Sequence, residues 1–203
     1  MERHIVYKFL SECYILPDEE RIQMLRSYGE YLPNSFVYLI DIISDNHNLD
    51  QLILDFSRLF LGPLNLLAPP YGSIYLEGRK KLMGESTNNI LEWFASENLE
   101  LEINDIPDHI AFELEFMYVL ILREMQAREE KNETEILDYL NKQNEFLKLH
   151  LGSWIKEFTK CMKDGASSSF YKELAKQTKK FIAHDMLFLD ETLKEKANKV
   201  VQS

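Results

Sequence analysis

Apolar residues recur at steps of three and four positions along almost the whole chain, with polar residues between them. This spacing is typical of the buried face of an α-helix, and no segment keeps the strict alternation of a β-strand. The pattern predicts helices over residues 2–15, 18–31, 35–45, 48–61, 87–97, 108–130, 133–162 with a break or bend near Gly152, and 168–189. We therefore predict an all-α fold, a single-domain bundle of about eight helices over 1–203, in which residues 190–203 form a frayed tail.

Residues 62–86 interrupt the helical pattern. Prolines and glycines break up this segment, yet leucines, Ile74 and two tyrosines keep it apolar. A long apolar loop must pack against the rest of the protein, and loops of this length in compact domains are often functional. The alternative is a structural crossing between two halves of the bundle.

The segment from Pro107 to Met125 predicts the most buried helix. Pro107 and Asp108 suit a first helical turn, because proline fixes φ and a negative charge is favourable near the unpaired N–H groups. Apolar side chains cover nearly every side of this helix, so we expect it in the interior. Glu113 and Glu115 lie within the apolar run, where an unpaired carboxylate is costly. Each should have a hydrogen-bond partner, a cation or an opening to water.

Composition indicates an ordinary globular protein. The chain has 203 residues, of which 45% are hydrophobic and 28% charged. No apolar run is long enough to cross a bilayer, and the first residues lack the pattern of a signal peptide, so we expect a soluble, cytoplasmic protein without membrane insertion. Cys13 and Cys161 are far apart, which favours neither a disulfide framework nor a thiolate metal site.

The net charge of −11 is concentrated in one part of the chain. Between Glu85 and Glu135, 14 acidic residues face three basic ones, so this segment alone carries −11. It could be a solvated acidic face, or a surface that attracts a cationic partner and repels nucleic acid and anionic lipid. Charge alone favours the solvated face.

The sequence lacks the common motifs of enzymes and metal sites. It contains no phosphate-binding glycine loop, HExxH or CxxC pattern, so GTP binding has no support from the residues. His109 and Glu113 could be two metal ligands, but a site needs at least three, so a capping or core hydrogen bond is the favoured role. Ser73 lacks the second glycine of a nucleophile elbow. We predict no catalytic residue, no bound metal and no cofactor.

Three segments in order resemble the TorD-like redox-enzyme maturation chaperones, a family that also includes the DmsD and NarJ types. They are FSRLFLGP (56–63), APPYGSIYLEGRKKLMGEST (68–87) and DIPDHIAFELEFM (105–117). The second is particularly similar to the dimethyl sulfoxide reductase type, with tyrosines at 71 and 75 where tryptophan is familiar. In the third, Pro107 directly precedes Asp108, whereas some members place a residue between them. Segments around His150 and Trp154 also resemble the family's closing helices.

The resemblance implies an all-helical chaperone that binds the N-terminal leader of a client enzyme. The client would be the catalytic subunit of a molybdopterin oxidoreductase, and its leader, usually a twin-arginine signal peptide, would be held until the cofactor is inserted. Carboxylates beside an apolar groove suit such a leader, because arginine pairs bidentately with carboxylate. Two alternatives stay open: a client N-terminus without the arginine pair, as in the NarJ type, and a GTP-binding protein.

The resemblance also implies a peptide-binding site. It would comprise Phe56, Leu59, Phe60, Pro63, Pro70, Tyr71, Gly72, Ser73, Tyr75, Gly84, Pro107, Asp108, His109 and Glu113. We expect Asp108 and His109 to occupy the first turn of their helix and to contribute more to binding than to stability. The client and its leader are the expected partners; nucleic acid is not, and a homodimer is left open.

Overall fold

The computed structural model describes residues 2–45, 49–62, 66–78, 83–100 and 106–201. Within these ranges the chain forms ten α-helices: α1 (Arg3–Cys13), α2 (Glu19–Ser27), α3 (Asn34–Asp45), α4 (Leu49–Phe56), α5 (Gly72–Leu76), α6 (Glu85–Ser96), α7 (Ile110–Glu129), α8 (Glu133–Leu149), α9 (Leu151–Gly165) and α10 (Ser169–Val201). A 3₁₀ turn, Tyr28–Glu30, follows α2, and a π-helical turn, Ser57–Leu61, continues α4. The predicted all-α class is confirmed.

Two predicted helices differ from the observed ones. The predicted helix 133–162, with its break or bend near Gly152, is divided at His150 into α8 and α9. The last helix does not end near 189 with a frayed tail, but continues to Val201. Its extension is held because Leu193 packs against the core and Lys196 Nζ lies 2.9 Å from Glu133 Oε2 on α8.

Helix α7 lies at the centre of the bundle, as predicted. It packs against α1 on one side and α8 on another. Leu114, Met117 and Leu120 are fully buried. Glu115 is partly exposed and accepts a hydrogen bond from Lys8 Nζ on α1 at 2.6 Å, which confirms that this carboxylate needs a cation. In the part of the chain that the structure describes, no helix combines the length and hydrophobicity of a membrane span.

Asp55 joins the first half of the chain to the last helix. This fully buried carboxylate on α4 accepts hydrogen bonds from the N–H groups of Ser167 and Ser168, at 3.0 and 2.8 Å, just before α10 begins. Backbone N–H groups at a helix start lack partners within the helix, so a carboxylate here satisfies them. The sequence gives no local sign of this link, because the two segments are more than a hundred residues apart.

Candidate functional site

The segment before α5 pairs with the start of α7. Gly72 N–H donates to Asp108 O at 2.9 Å, and Ile110 N–H donates to Pro70 O at 2.8 Å. Between these bonds, Tyr71 and His109 face each other as a short antiparallel β-bridge. The bridge brings together two motifs that are separate in sequence. It also confirms, for residues 66–78, that the apolar loop packs on the protein.

The buried side chain of Asp108 links the two segments. Its side chain is fully buried, and its Oδ2 accepts a hydrogen bond from Ser73 N–H at 2.6 Å. Oδ1 of Asp108 and Oγ of Ser73 are also buried, and neither has a hydrogen-bond partner in the described structure. Because α7 begins at Ile110, Asp108 precedes the helix and is not in its first turn. It has a structural role that the sequence prediction did not give it.

His109 caps helix α7. Its Nδ1 accepts a hydrogen bond from Ala111 N–H at 3.2 Å, which requires that this nitrogen carry no proton. Burial lowers the pKa of His109 to about 4, although the charge of Asp108 acts in the opposite direction. The imidazole is therefore neutral at pH 7, in keeping with its role as an acceptor.

Glu113 lies beneath this pairing, with Trp154 as its partner. Its side chain is fully buried, and the Trp154 indole N–H is 3.2 Å from both carboxyl oxygens. Burial raises the pKa of Glu113 well above its ordinary value; the Trp154 hydrogen bond lowers it and the charge of Asp108 raises it. The prediction that Glu113 needs a partner is confirmed. A Cβ at Gly72 would lie 3.0 Å from both Glu113 Oε1 and Trp154 Nε1, so this close approach favours glycine.

Helix α9 and the residue before it supply Trp154 and His150, which the predicted site did not include. The ring of Trp154 stacks on Tyr75 with centroids 5.5 Å apart. Four residues earlier, at the break before α9, His150 Nε2 lies 2.8 Å from Asn89 Oδ1 of α6, and burial lowers the pKa of His150 to about 4, against the charge of Asp108. In the predicted helix 133–162 a spacing of four residues places His150 and Trp154 on one face, which is the sequence signal that could have linked them.

Other predicted site residues do not face this cluster. Phe56, Leu59 and Phe60 have exposed fractions of 3%, 0% and 2% and pack in the core, so they line no surface for a peptide in this structure. Gly84 is the N-cap residue before α6 and is packed against Glu77, whose carboxylate accepts a hydrogen bond from Ser86 N–H at 2.7 Å. Pro63 lies outside the described residues.

Four rings of this region are partly exposed; Tyr75 stacks on Trp154, and the other three, Tyr71, His109 and Phe112, are neighbours along the surface. We call these three the aromatic row. The His109 ring centroid lies 5.3 Å from that of Tyr71 and 5.8 Å from that of Phe112. Pro70, Gly72, Ser73 and Pro107 are buried, so they shape the backbone beneath. The row combines apolar ring faces with the Tyr71 hydroxyl, and it adjoins the buried Asp108 carboxylate. Phe112 was missing from the predicted site.

The acidic segment from Glu85 to Glu135 divides into structural and surface residues. Glu97 is buried and binds Arg123 and Lys142, and Glu124 is buried and binds Arg128. Most of its other described carboxylates are exposed. In the described part of the chain, no group of three histidine, cysteine, aspartate or glutamate side chains is arranged to hold a metal ion.

Comparisons with known proteins identify the family. A family model described as "Nitrate reductase delta subunit" matches residues 19–160. The chain is 30% identical over 141 residues to the chaperone protein TorD of Aliivibrio fischeri, a match that covers 68% of this chain and 64% of that protein. It is 28% identical over 130 residues to the Tat proofreading chaperone DmsD of Salmonella typhimurium, covering 63% of this chain and 57% of that protein.

A solved structure shares the fold. The crystal structure of a protein described as a redox enzyme maturation protein from Archaeoglobus fulgidus superposes with a TM-score of 0.64 at 20% identity, covering 90% of this chain and 94% of that one. The named relatives are chaperones and not catalysts, in agreement with the prediction that the chain is not an enzyme. The chain belongs to the nitrate reductase delta subunit family and is similar to the TorD and DmsD chaperones.

Proposed function

We propose that this protein is a cytoplasmic chaperone that binds the twin-arginine leader of a molybdopterin oxidoreductase and holds it until the cofactor is inserted. The family membership supports a chaperone, and the name of the Salmonella relative, a Tat proofreading chaperone, supports a leader of this kind. The observation that carries the proposal is the aromatic row, which lies partly exposed beside the buried carboxylate of Asp108.

The aromatic row suits an arginine beside an apolar stretch. A guanidinium plane stacks favourably on an aromatic face, and the same faces accept aliphatic side chains. Asp108 adds a nearby negative charge, which contributes after burial to a raised pKa of the Tyr71 hydroxyl. Its Oδ1 has no partner among the described residues and is available to a donor that reaches it. A charge-assisted bond of this type is about twice as strong as a neutral one.

The surrounding charge supports attraction of a cationic leader. Glu85 and Glu92 are exposed on α6, which packs against α5 of the candidate site. Exposed charges are screened over about 8 Å at physiological ionic strength. If the leader's arginines are recognised electrostatically, affinity falls as salt rises.

The first experiment uses two leader peptides, one with two adjacent arginines before an apolar stretch and one with both arginines replaced by glutamine. Isothermal titration calorimetry should give an affinity about tenfold lower for the glutamine peptide, equivalent to about 1.4 kcal/mol. Equal affinity for both would favour the alternative client, an N-terminus without the arginine pair. Binding of neither peptide would contradict leader binding altogether.

Two variants separate binding from folding. Tyr71→Ala removes a ring of the aromatic row, and His109→Asn removes another while keeping an acceptor for the start of α7. Both should weaken leader binding with a small change in melting temperature. The control is Tyr38→Ala, which removes a tyrosine that is 55% exposed on α3. If the control weakens binding as much as Tyr71→Ala, the aromatic row is not the site.

A further inference from the structure

A groove between α9 and α10 has the opposite charge to the chain as a whole. Its volume is about 440 Å³, and six exposed lysines line it. They are Lys156, Lys160 and Lys163 on α9 and Lys176, Lys179 and Lys180 on α10. The lining contains two carboxylates, Glu157 and Asp164, so it carries a net charge of +4 on a chain of −11. We call it the lysine groove.

Most of this positive charge is not neutralised within the protein. Lys160 pairs with Asp164 at 3.2 Å and Lys176 with Glu173 at 2.9 Å. The other four lysines have no ion-pair partner among the residues that the structure describes. Elsewhere in the described chain most basic side chains form ion pairs, as those of Arg123 and Lys142 do with Glu97. The concentration of unpaired lysines distinguishes this groove from the rest of the surface.

The lysines follow the helical repeat and leave a narrow floor between them. On α9 they stand at intervals of four and three residues, which forms a row about 10 Å long at 1.5 Å per residue. Thr159, Ala175 and Ala183 line the groove between the rows. These small side chains leave room for a partner's backbone to approach the helices. The dimensions suit two turns of a helix or a short extended peptide.

We propose that the lysine groove binds an acidic, carboxylate-rich segment of a protein partner. A nucleic acid is disfavoured for two reasons. The groove lining contains no aromatic side chain on which bases could stack. A long polyanion would also meet the net negative charge of the remaining surface, whereas a short segment stays within the groove.

The groove and the aromatic row are separate surfaces. Trp154 and Phe158 of α9 contact Tyr75, on the side of the helix that faces the candidate site. Lys156 and Lys160 each follow by two residues, which is a rotation of about 200° around the helix. The groove therefore lies on the opposite side of α9, and its binding does not depend on the proposed leader site.

The test measures fluorescence anisotropy of a short labelled peptide of alternating alanine and glutamate, with a glutamine counterpart as the neutral probe. The glutamate peptide should bind and the glutamine peptide should not. The triple variant Lys156→Gln, Lys163→Gln, Lys179→Gln should weaken binding about tenfold, because exposed charge pairs contribute about 0.2–1 kcal/mol each. The matched control replaces three exposed lysines outside the groove with glutamine: Lys131, Lys148 and Lys194.

The outcomes are distinct. Loss in the groove variant with binding within twofold of the parent in the control supports the proposal. Equal loss in both variants would mean that only net charge matters, and absence of glutamate-peptide binding would mean a solvated lysine face; either result overturns it. Tighter binding of a single-stranded oligonucleotide of matched charge would assign the groove to nucleic acid instead. A circular dichroism melt confirms that each variant is folded.

Discussion

Acidification from pH 7 to pH 5 provides a test of the buried cluster through its two histidines. Burial lowers the pKa of His109 and of His150 from about 6.5 to about 4. Between these two values the unfolded chain binds more protons than the folded protein, so stability rises with pH and falls as the pH is lowered. Each histidine should cost about 2 kcal/mol of stability on going from pH 7 to pH 5, at about 1.4 kcal/mol per pKa unit.

Glu113 acts in the opposite direction. Burial raises its pKa well above the ordinary carboxyl value. At pH values between the ordinary and the raised pKa, Glu113 is therefore protonated in the folded protein and ionised in the unfolded chain. The stability that this proton contributes is fully present at low pH and is lost as the pH rises towards the pKa of the folded state. The parent protein should therefore show only a modest net change between pH 7 and pH 5, because two opposing contributions partly cancel.

The double variant His109→Asn, His150→Gln removes only the histidine contribution. Asparagine keeps an acceptor for the Ala111 N–H, and glutamine keeps a donor for Asn89 Oδ1. The two histidines together lower the free energy of unfolding of the parent by about 4 kcal/mol between pH 7 and pH 5, and the variant should lack this decrease. Urea unfolding at each pH measures it, with His184→Gln, at an exposed position, as the control.

The result that refutes this reasoning is a parallel response. If parent and double variant change in stability by the same amount between pH 7 and pH 5, the two imidazoles are not held neutral in the folded protein. If the His184→Gln control reproduces the effect of the double variant, the change arises from general charge and not from burial. Both results would remove the electrostatic description of the cluster.

Three further predictions concern single positions. Glu113→Gln, which keeps an acceptor for the Trp154 N–H, should be more stable than the parent at pH 8, with the difference shrinking towards pH 5 in melting curves. Leu114→Ala should lose about 2–5 kcal/mol in urea unfolding, because this leucine is fully buried in α7. Asp55→Ala should lose about 1–2 kcal/mol in the same assay, because it leaves N–H groups before α10 unsatisfied; an unchanged midpoint would contradict that role.

Local patterns predicted the fold class and the central helix. The three-and-four spacing of apolar residues is a property of each helix alone, so α7 and the break near Gly152 could be found without knowledge of tertiary contacts. The need of Glu113 for a partner could also be predicted, because burial of a carboxylate has a known cost. Its partner could not, since Trp154 lies 41 residues away on another helix.

Long-range backbone contacts could not be predicted from local sequence patterns. Helix α5 has five residues and is stabilised where Gly72 and Asp108 bond, so it has no amphipathic repeat of its own to detect. The recognisable segments contain both core residues and surface residues. Phe56 and Phe60, for example, belong to the first segment but pack in the core. A motif does not state which of its members bind a partner and which support those that do.

Asp108 combines a structural role with a proposed role in binding. Its carboxylate is the negative charge closest to the aromatic row, and the same carboxylate holds Ser73 N–H through Oδ2. A substitution that removes the charge therefore also weakens the bond that positions α5, and a loss of leader binding in Asp108→Ala would not distinguish contact from support. His109→Asn retains the cap of α7 and removes only the ring, so it changes the aromatic row with little effect on the helix start beneath it. The proposed leader binding is therefore best tested with variants of the aromatic row, because the Asp108 carboxylate beneath it also supports the fold.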